Sequence, residues 1–206
     1  SIICDRSLVF IITENSYDCL VGYCGSLYNN SVVALINNSI NKRMLNNILK
    51  RFKPSFIYQS KKDEKNDSWD LELNFGKYVL YRTNYVIDYK MEINLSTLLM
   101  TSGTTGDPEF VRLSYANIYN NTMSICDYLD INDNDVAITT LPMSYSYGIS
   151  IINTHLFSGS GLVMTDRSFM EKKIWEMINQ YKVTTFGGVP YTYEILKKLK
   201  FDKMLL

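Results

Sequence analysis

Residues 101–111 read TSGTTGDPEFV. Gly103 and Gly106 stand among the hydroxyl residues Thr101, Ser102, Thr104 and Thr105. Glycine lets a backbone turn tightly and bring its N–H groups close to an oxyanion. The hydroxyls add donors on the same short arc without adding charge. Together they suit the β- and γ-phosphates of a nucleotide. Stretches of Ser, Thr and Gly are also common in flexible loops and tight turns, so the segment alone leaves both readings open. Two other phosphate motifs are excluded. A Walker loop needs lysine directly after its second glycine, and here Asp107 follows Gly106. A dinucleotide fingerprint needs G-x-G-x-x-G after the first strand, and none follows it.

Other chemistry-bearing residues lack local partners. Ser144, Ser146 and Ser150 have no adjacent base and no G-x-S-x-G context, so they read as pocket lining or helix caps. His155, the only histidine, falls on a helix-spaced stretch and reads as structural. Cys4, Cys19, Cys24 and Cys126 form no C-x-x-C pair and have no histidine at ligand spacing, which predicts reduced, partly buried thiols. Lysine plus arginine equals aspartate plus glutamate, 21 each, so no net field points to nucleic acid or an anionic membrane. Hydrophobic residues make up 46% and charged residues 20%, a globular composition. The N-terminal apolar run SLVFIIT is far short of the roughly 20 residues a bilayer requires, and Glu14 ends it without a cleavage site. A soluble, cytoplasmic protein is expected.

The elements that must hold the loop follow from hydropathy spacing. Leu8–Thr13, Val32–Ile36 and Ser55–Tyr58 are apolar runs suited to strands covered on both faces. Between them lie a helix capped by Ser16, with Cys19, Leu20, Tyr23 and Leu27 on one face, and a helix opened by Asn41 and ended at Pro54. Strand, helix, strand, helix, strand predicts a parallel sheet with right-handed crossovers. Residues 60–70 read as a charged surface loop, and Phe75–Tyr89 as a pair of strands. Leu95–Thr101 is a strand feeding the glycine loop, and Glu109–Leu113 returns from it. Further helices are expected over Tyr115–Leu129, Ser150–Phe157, Phe169–Tyr181 and Pro190–Leu199. Strands are expected over Val136–Thr140, Leu162–Thr165 and Val183–Phe186. The class is α/β: a parallel Rossmann-like sheet with flanking helices and additional strands.

Thr101 through Pro108, with Val111, resembles the phosphate loop [ST]-S-G-[ST]-T-G-x-P-K-G-[VN] of the adenylate-forming (AMP-binding) superfamily. That family holds acyl-CoA synthetases, nonribosomal-peptide adenylation domains and luciferases. The neighbours agree. Leu113-Ser114-Tyr115-x-Asn117 is similar to L-[ST]-H-x-N. The segment LPMSYSYG at 141–148 looks like L-P-x-x-H-x-x-G, and VTTFGGVP at 183–190 resembles a strand-to-helix turn lining the same acyl pocket. The resemblance implies a ligase that joins a carboxylic acid to ATP with Mg²⁺, releasing pyrophosphate. A thiol, from CoA or a carrier-protein phosphopantetheine, then takes the acyl group. It places the nucleotide on Thr101, Ser102, Gly103, Thr104, Thr105 and Gly106, and the acid near Tyr145, Gly148, Gly187, Gly188 and Pro190. Donors around the outer phosphates, from a backbone nest or a helix N-terminus, would stabilise charge growing on the leaving pyrophosphate.

Departures from the pattern are specific. Glu109 stands where the family has lysine, and Phe110 where it has glycine. An anion there opposes a triphosphate, and strand alternation puts Arg112 on the other face. Tyr115 and Tyr145 replace histidines common in the family. The family's Y-G-x-T-E segment, whose acid holds Mg²⁺, its ribose-binding aspartate and its C-terminal lysine are not found, and Tyr191–Glu194 fits helix packing instead. The chain begins at serine and ends at FDKMLL, which reads as the N-terminal portion, residues 1–206, of a longer AMP-binding domain, inactive alone. The alternative is a degenerate nucleotide-binding or scaffold module that keeps the fold.

Overall fold

Leu8–Thr13 (β1) is buried at every position, and Val32–Asn37 (β2) at all but its last, as expected of strands covered on both sides. The computed structural model describes residues 6–63, 66–87, 89–101 and 108–200. The helix Tyr17–Tyr28 (α1) joins the two strands, and the helix Lys42–Phe52 (α2) leads from β2 to Phe56–Ser60 (β3). Both helices start where the sequence places a cap. The Ser16 side chain accepts from the Cys19 N–H at 3.3 Å, and Asn41 accepts from the Met44 N–H at 2.8 Å. Such caps contribute about 1 kcal/mol each. α2 ends with Lys53 in the left-handed region, φ 45°, ahead of Pro54.

The chain forms two compact units, Ser1–Tyr119 and Asn120–Leu206. The first is built on a seven-stranded sheet that adds Asp70–Phe75 (β4), Tyr78–Arg82 (β5), Leu95–Thr101 (β6) and Glu109–Ser114 (β7). Its order is β4-β5-β3-β1-β2-β6-β7. Strands β3, β1, β2 and β6 are mutually parallel, while β5, β4 and β7 run antiparallel to their neighbours. The chain steps from β1 to β2 and then back past β1 to β3. Right-handed crossovers in opposite directions put α1 and α2 on opposite faces. Accordingly Ile48 and Leu49 of α2 share a core with Phe10, Ile12, Ala34 and Ile36. Gly22 of α1 lies against Tyr58, whose strand neighbour Ile57 points to the α2 side. Burying Phe10 or Ile36 completely stabilises the fold by roughly 1.5–3 kcal/mol per side chain.

The hairpin differs from the sequence expectation. Its strands are 70–75 and 78–82, not both within Phe75–Tyr89. Gly76, with φ +51°, makes the turn, and the Asp18 carboxylate accepts from the Lys77 N–H at 2.7 Å where a side chain on Gly76 would sit. The acidic alternation of Asp70–Phe75 hid an exposed edge strand. Trp69, at the end of the expected surface loop, is buried against Tyr81.

The helix Tyr115–Leu129 (α3) follows β7. Ser114 and Asn117 cap it reciprocally: each accepts, through its side chain, the other's backbone N–H, at 3.1 and 3.0 Å. The second unit has a parallel three-stranded sheet ordered β10-β8-β9, from Val136–Thr139 (β8), Gly161–Met164 (β9) and Thr185–Phe186 (β10). Helix Ser146–Phe157 (α4) packs on the Ala137–Leu162 face. Helices Lys172–Gln180 (α5) and Pro190–Lys198 (α6) cover the face of Ile138 and Val163. α4 starts one turn earlier than the sequence spacing suggests, because Gly148 packs inside its first turn instead of breaking it. α5 starts later, at Lys172. Glu171 accepts from the Ser168 N–H at 2.9 Å, forming a turn from which Phe169 enters the core against Trp175 and Phe186. Val183 and Thr184 precede β10 instead of belonging to it. No helix among the described residues is long and apolar enough to cross a membrane.

Candidate functional site

The glycine-rich segment leaves the sheet at the carboxyl end of β6, on the same side as the ends of the parallel strands β1, β2 and β3. In open α/β sheets that edge is where ligands bind. Ser102, Gly103, Thr104, Thr105 and Gly106 lie outside the described residues. Their flanks are described, and they close the base of the loop: Thr101 pairs with Glu109 across the β6–β7 ladder. The Thr101 hydroxyl donates to the Glu109 carbonyl at 3.3 Å, so Thr101 ties the loop's two ends together. The segment returns into a strand, not a helix. The N-terminus of α3 is a strand length away, roughly 20 Å at ~3.3 Å per residue, near Leu95. That distance separates the α3 N-terminus from the Thr101–Glu109 pair.

Glu109 is exposed, on the opposite side of β7 from Phe110 and Arg112. Phe110 turns inward, edge-on to Phe52 with ring centroids 4.9 Å apart and tilted against Phe10 at 5.9 Å. The position where the family carries glycine therefore fills a gap between α2 and the sheet. A cleft of about 370 Å³ beside Pro108 is lined by Asn47, Ile48, Lys50 and Arg51. Cationic side chains flanking the loop exit thus come from the last turn of α2. Sequence reading missed Lys50 and Arg51, since nothing local marks residues on a distant helix as neighbours of Pro108.

In the second unit, α4 and the turn after β10 come together. A Cβ on Gly187 would sit 2.3 Å from Ile151 Cδ1 and 3.2 Å from Tyr147 Cζ, so the bare backbone there lets the turn lie against the helix. Gly188 abuts Thr192 and Tyr193, and Pro190 is the first residue of α6. Tyr145, half exposed, sits at the position before α4. Gly148 faces elsewhere: its Cβ would lie 2.1 Å from the Pro142 carbonyl oxygen, which makes it a packing glycine at the end of the β8 segment. Tyr147 is the aromatic that touches the turn, a contact the sequence did not signal, because the helical spacing read there began only at Ser150. At the other end of β10, the Asn132 N–H and the Thr184 hydroxyl hold the Asp135 carboxyl below the usual carboxylate range. Among the described residues no group of three or more His, Cys, Asp or Glu is placed to hold a metal ion. No disulfide joins Cys19, Cys24 and Cys126.

The sequence pattern of the AMP-binding enzyme family matches residues 4–205. The chain belongs to that family. Among curated AMP-binding relatives, the 2-succinylbenzoate–CoA ligase of Lactococcus lactis is 26% identical over 191 residues, covering 90% of this chain and 41% of that protein. The oxalate–CoA ligase of Saccharomyces cerevisiae is 24% identical over 140 residues, covering 68% of this chain and 26% of that protein. The chain thus spans less than half the length of these relatives. The fold is that of o-succinylbenzoate CoA synthetase from Bacillus subtilis, solved with its acyl-adenylate intermediate: TM-score 0.76 at 19% identity, over 95% of this chain and 52% of that one. MatB from Rhodopseudomonas palustris superposes with a TM-score of 0.71 at 18% identity, over 94% of this chain and 41% of that one.

Proposed function

We propose that this chain is the N-terminal part of an ATP-dependent acid–thiol ligase. It activates a small or aromatic carboxylic acid as an acyl-adenylate, releasing pyrophosphate, and the acyl group passes to CoA or to the phosphopantetheine of a carrier protein. The observation that carries the reading is the place of the family motif at the carboxyl edge of a parallel sheet, on a loop clamped at its base by Thr101 and Glu109. Backbone N–H groups and hydroxyls on that loop would bind the outer phosphates of Mg·ATP, with the α2 cations Lys50 and Arg51 beside Pro108 where the segment returns to the sheet. Mg²⁺ would supply charge neutralisation, and its protein ligand would come from the rest of the polypeptide. Tyr147 and the Gly187–Gly188 turn would wall the acid.

The test is carboxylate-dependent ATP–pyrophosphate exchange by the full-length protein, with 2-succinylbenzoate, benzoate and oxalate as probes. Exchange above the acid-free rate is expected. A protein that neither exchanges with any of the three nor binds Mg·ATP in calorimetry would rule the reading out. The exposed acid at 109 favours a second reading, a degenerate module that keeps the fold without turnover. Under it, Glu109→Lys raises Mg·ATP affinity about tenfold or more, the scale of one recovered charge contact, and the parent shows no exchange.

A further inference from the structure

His155 is buried, 3% exposed, on the face of α4 that also carries Tyr147 and Ile151 at four-residue spacing. Its Nδ1 lies 2.8 Å from the Ile151 carbonyl oxygen, which can only accept, so Nδ1 carries a proton and donates it. In the neutral ring Nε2 is then an acceptor, and the Thr185 hydroxyl donates to it at 3.0 Å. That bond links α4 to β10, thirty residues on in the chain. β10 has two residues, paired to β8 at Thr185↔Ala137 and Phe186↔Ile138. A strand so short makes few ladder bonds, so a side-chain pin carries a large share of its placement. Two residues past the pin, Gly187 rests on Ile151 and Tyr147 of the same helix face.

We propose that His155 is a positioning residue for the acid subsite: through Thr185 it fixes β10, and so sets the Gly187–Gly188 turn against Tyr147. The assignment rests on reading that turn as the wall of the carboxylate site. A histidine that merely fills the core would affect stability alike wherever its bonds end. Here both ends of the pin lie on the two segments that meet at the turn.

The test uses the full-length protein with four variants. His155→Phe keeps an aromatic ring but loses the polar contacts with Ile151, Thr154 and Thr185, His155→Gln keeps an acceptor within reach of Thr185, Thr185→Val breaks the pin from the other side, and the fourth combines His155→Phe with Thr185→Val. Exchange kinetics are measured against 2-succinylbenzoate, benzoate or oxalate and, separately, against Mg·ATP. Amide hydrogen exchange is followed for peptides covering 185–190. His155→Phe and Thr185→Val should each raise the carboxylate KM about tenfold, the scale of one lost part-buried hydrogen bond, and leave the KM for Mg·ATP unchanged. The double variant should be no worse than either single one, and His155→Gln should stay near the parent. Amides at 186–189 should exchange faster in the Phe and Val variants. Equal shifts for both substrates, no recovery with Gln, or unchanged amide exchange would overturn the proposal. If His155→Phe does not fold, Thr185→Val alone decides by the same two readouts. A parent without acid-dependent exchange sinks the ligase reading, while amide exchange still judges the pin.

Discussion

Two neighbouring residues, Glu109 and Phe110, depart from the family motif in opposite ways. Glu109 points out and changes the surface charge. Phe110 points in and changes the packing: its ring bridges Phe52 of α2 and Phe10 of β1. The family's glycine would leave that bridge empty, so a revertant restores the motif at the cost of the core. Phe110→Gly is predicted to destabilise the chain by roughly 2–4 kcal/mol, shifted below the ~3–5 kcal/mol of deleting a fully buried aromatic because Phe110 is only partly buried. Urea unfolding of the isolated chain measures it. A loss under about 0.5 kcal/mol, typical of a surface site, would show that the ring is not part of the core. Glu109 should be nearly neutral in the same assay, since it is exposed. The two residues thus separate surface charge from packing at adjacent positions.

At the scale of elements, glycine acts differently in two helices of the same length. In α1, a Cβ added to Gly25 meets nothing within 4 Å. In α4, a Cβ on Gly148 would lie 2.1 Å from the Pro142 backbone oxygen, which cannot yield without moving the chain. Gly25→Ala should therefore stabilise by about 0.5–1 kcal/mol, by lowering the entropy of the unfolded chain. Gly148→Ala should destabilise by roughly 1–3 kcal/mol through overpacking. Thermal melts of the two variants should move in opposite directions, and a shift of the same sign in both would contradict the packing described for α4. The start of α4 matters for the proposed acid wall because Tyr147 is set there, one turn before the contact between Ile151 and Gly187.

At the scale of the whole molecule, the first unit holds Thr101 and Glu109 at the ends of the glycine-rich segment, and the second holds the Gly187–Gly188 turn and Tyr147. The relatives are more than twice as long as the stretch they share with this chain. On the proposed ligase reading, the metal-binding acid, the ribose-binding aspartate and the C-terminal lysine of the family pattern would come from outside that stretch. The isolated 206-residue chain should accordingly give no acid-dependent pyrophosphate exchange, while the full-length protein does. Parallel exchange assays on the two proteins decide this, and equal rates would show that the chemistry resides within these residues.

What the sequence settled by itself was encoded locally. The buried runs of β1 and β2, the caps at Ser16 and Asn41, the glycine loop and the family it signals are each readable within about ten consecutive residues. Hydropathy period and cap chemistry act over that range. Tertiary structure decided what depends on residues far apart in the chain: that Phe110 meets Phe10 and Phe52, that Lys50 and Arg51 flank Pro108, that His155 pins Thr185. It also decided that the hairpin turns at Gly76, against the Asp18 carboxylate. Such pairings are chosen by which surfaces the folded sheet and helices bring within a few ångströms, and a linear pattern holds no record of that choice.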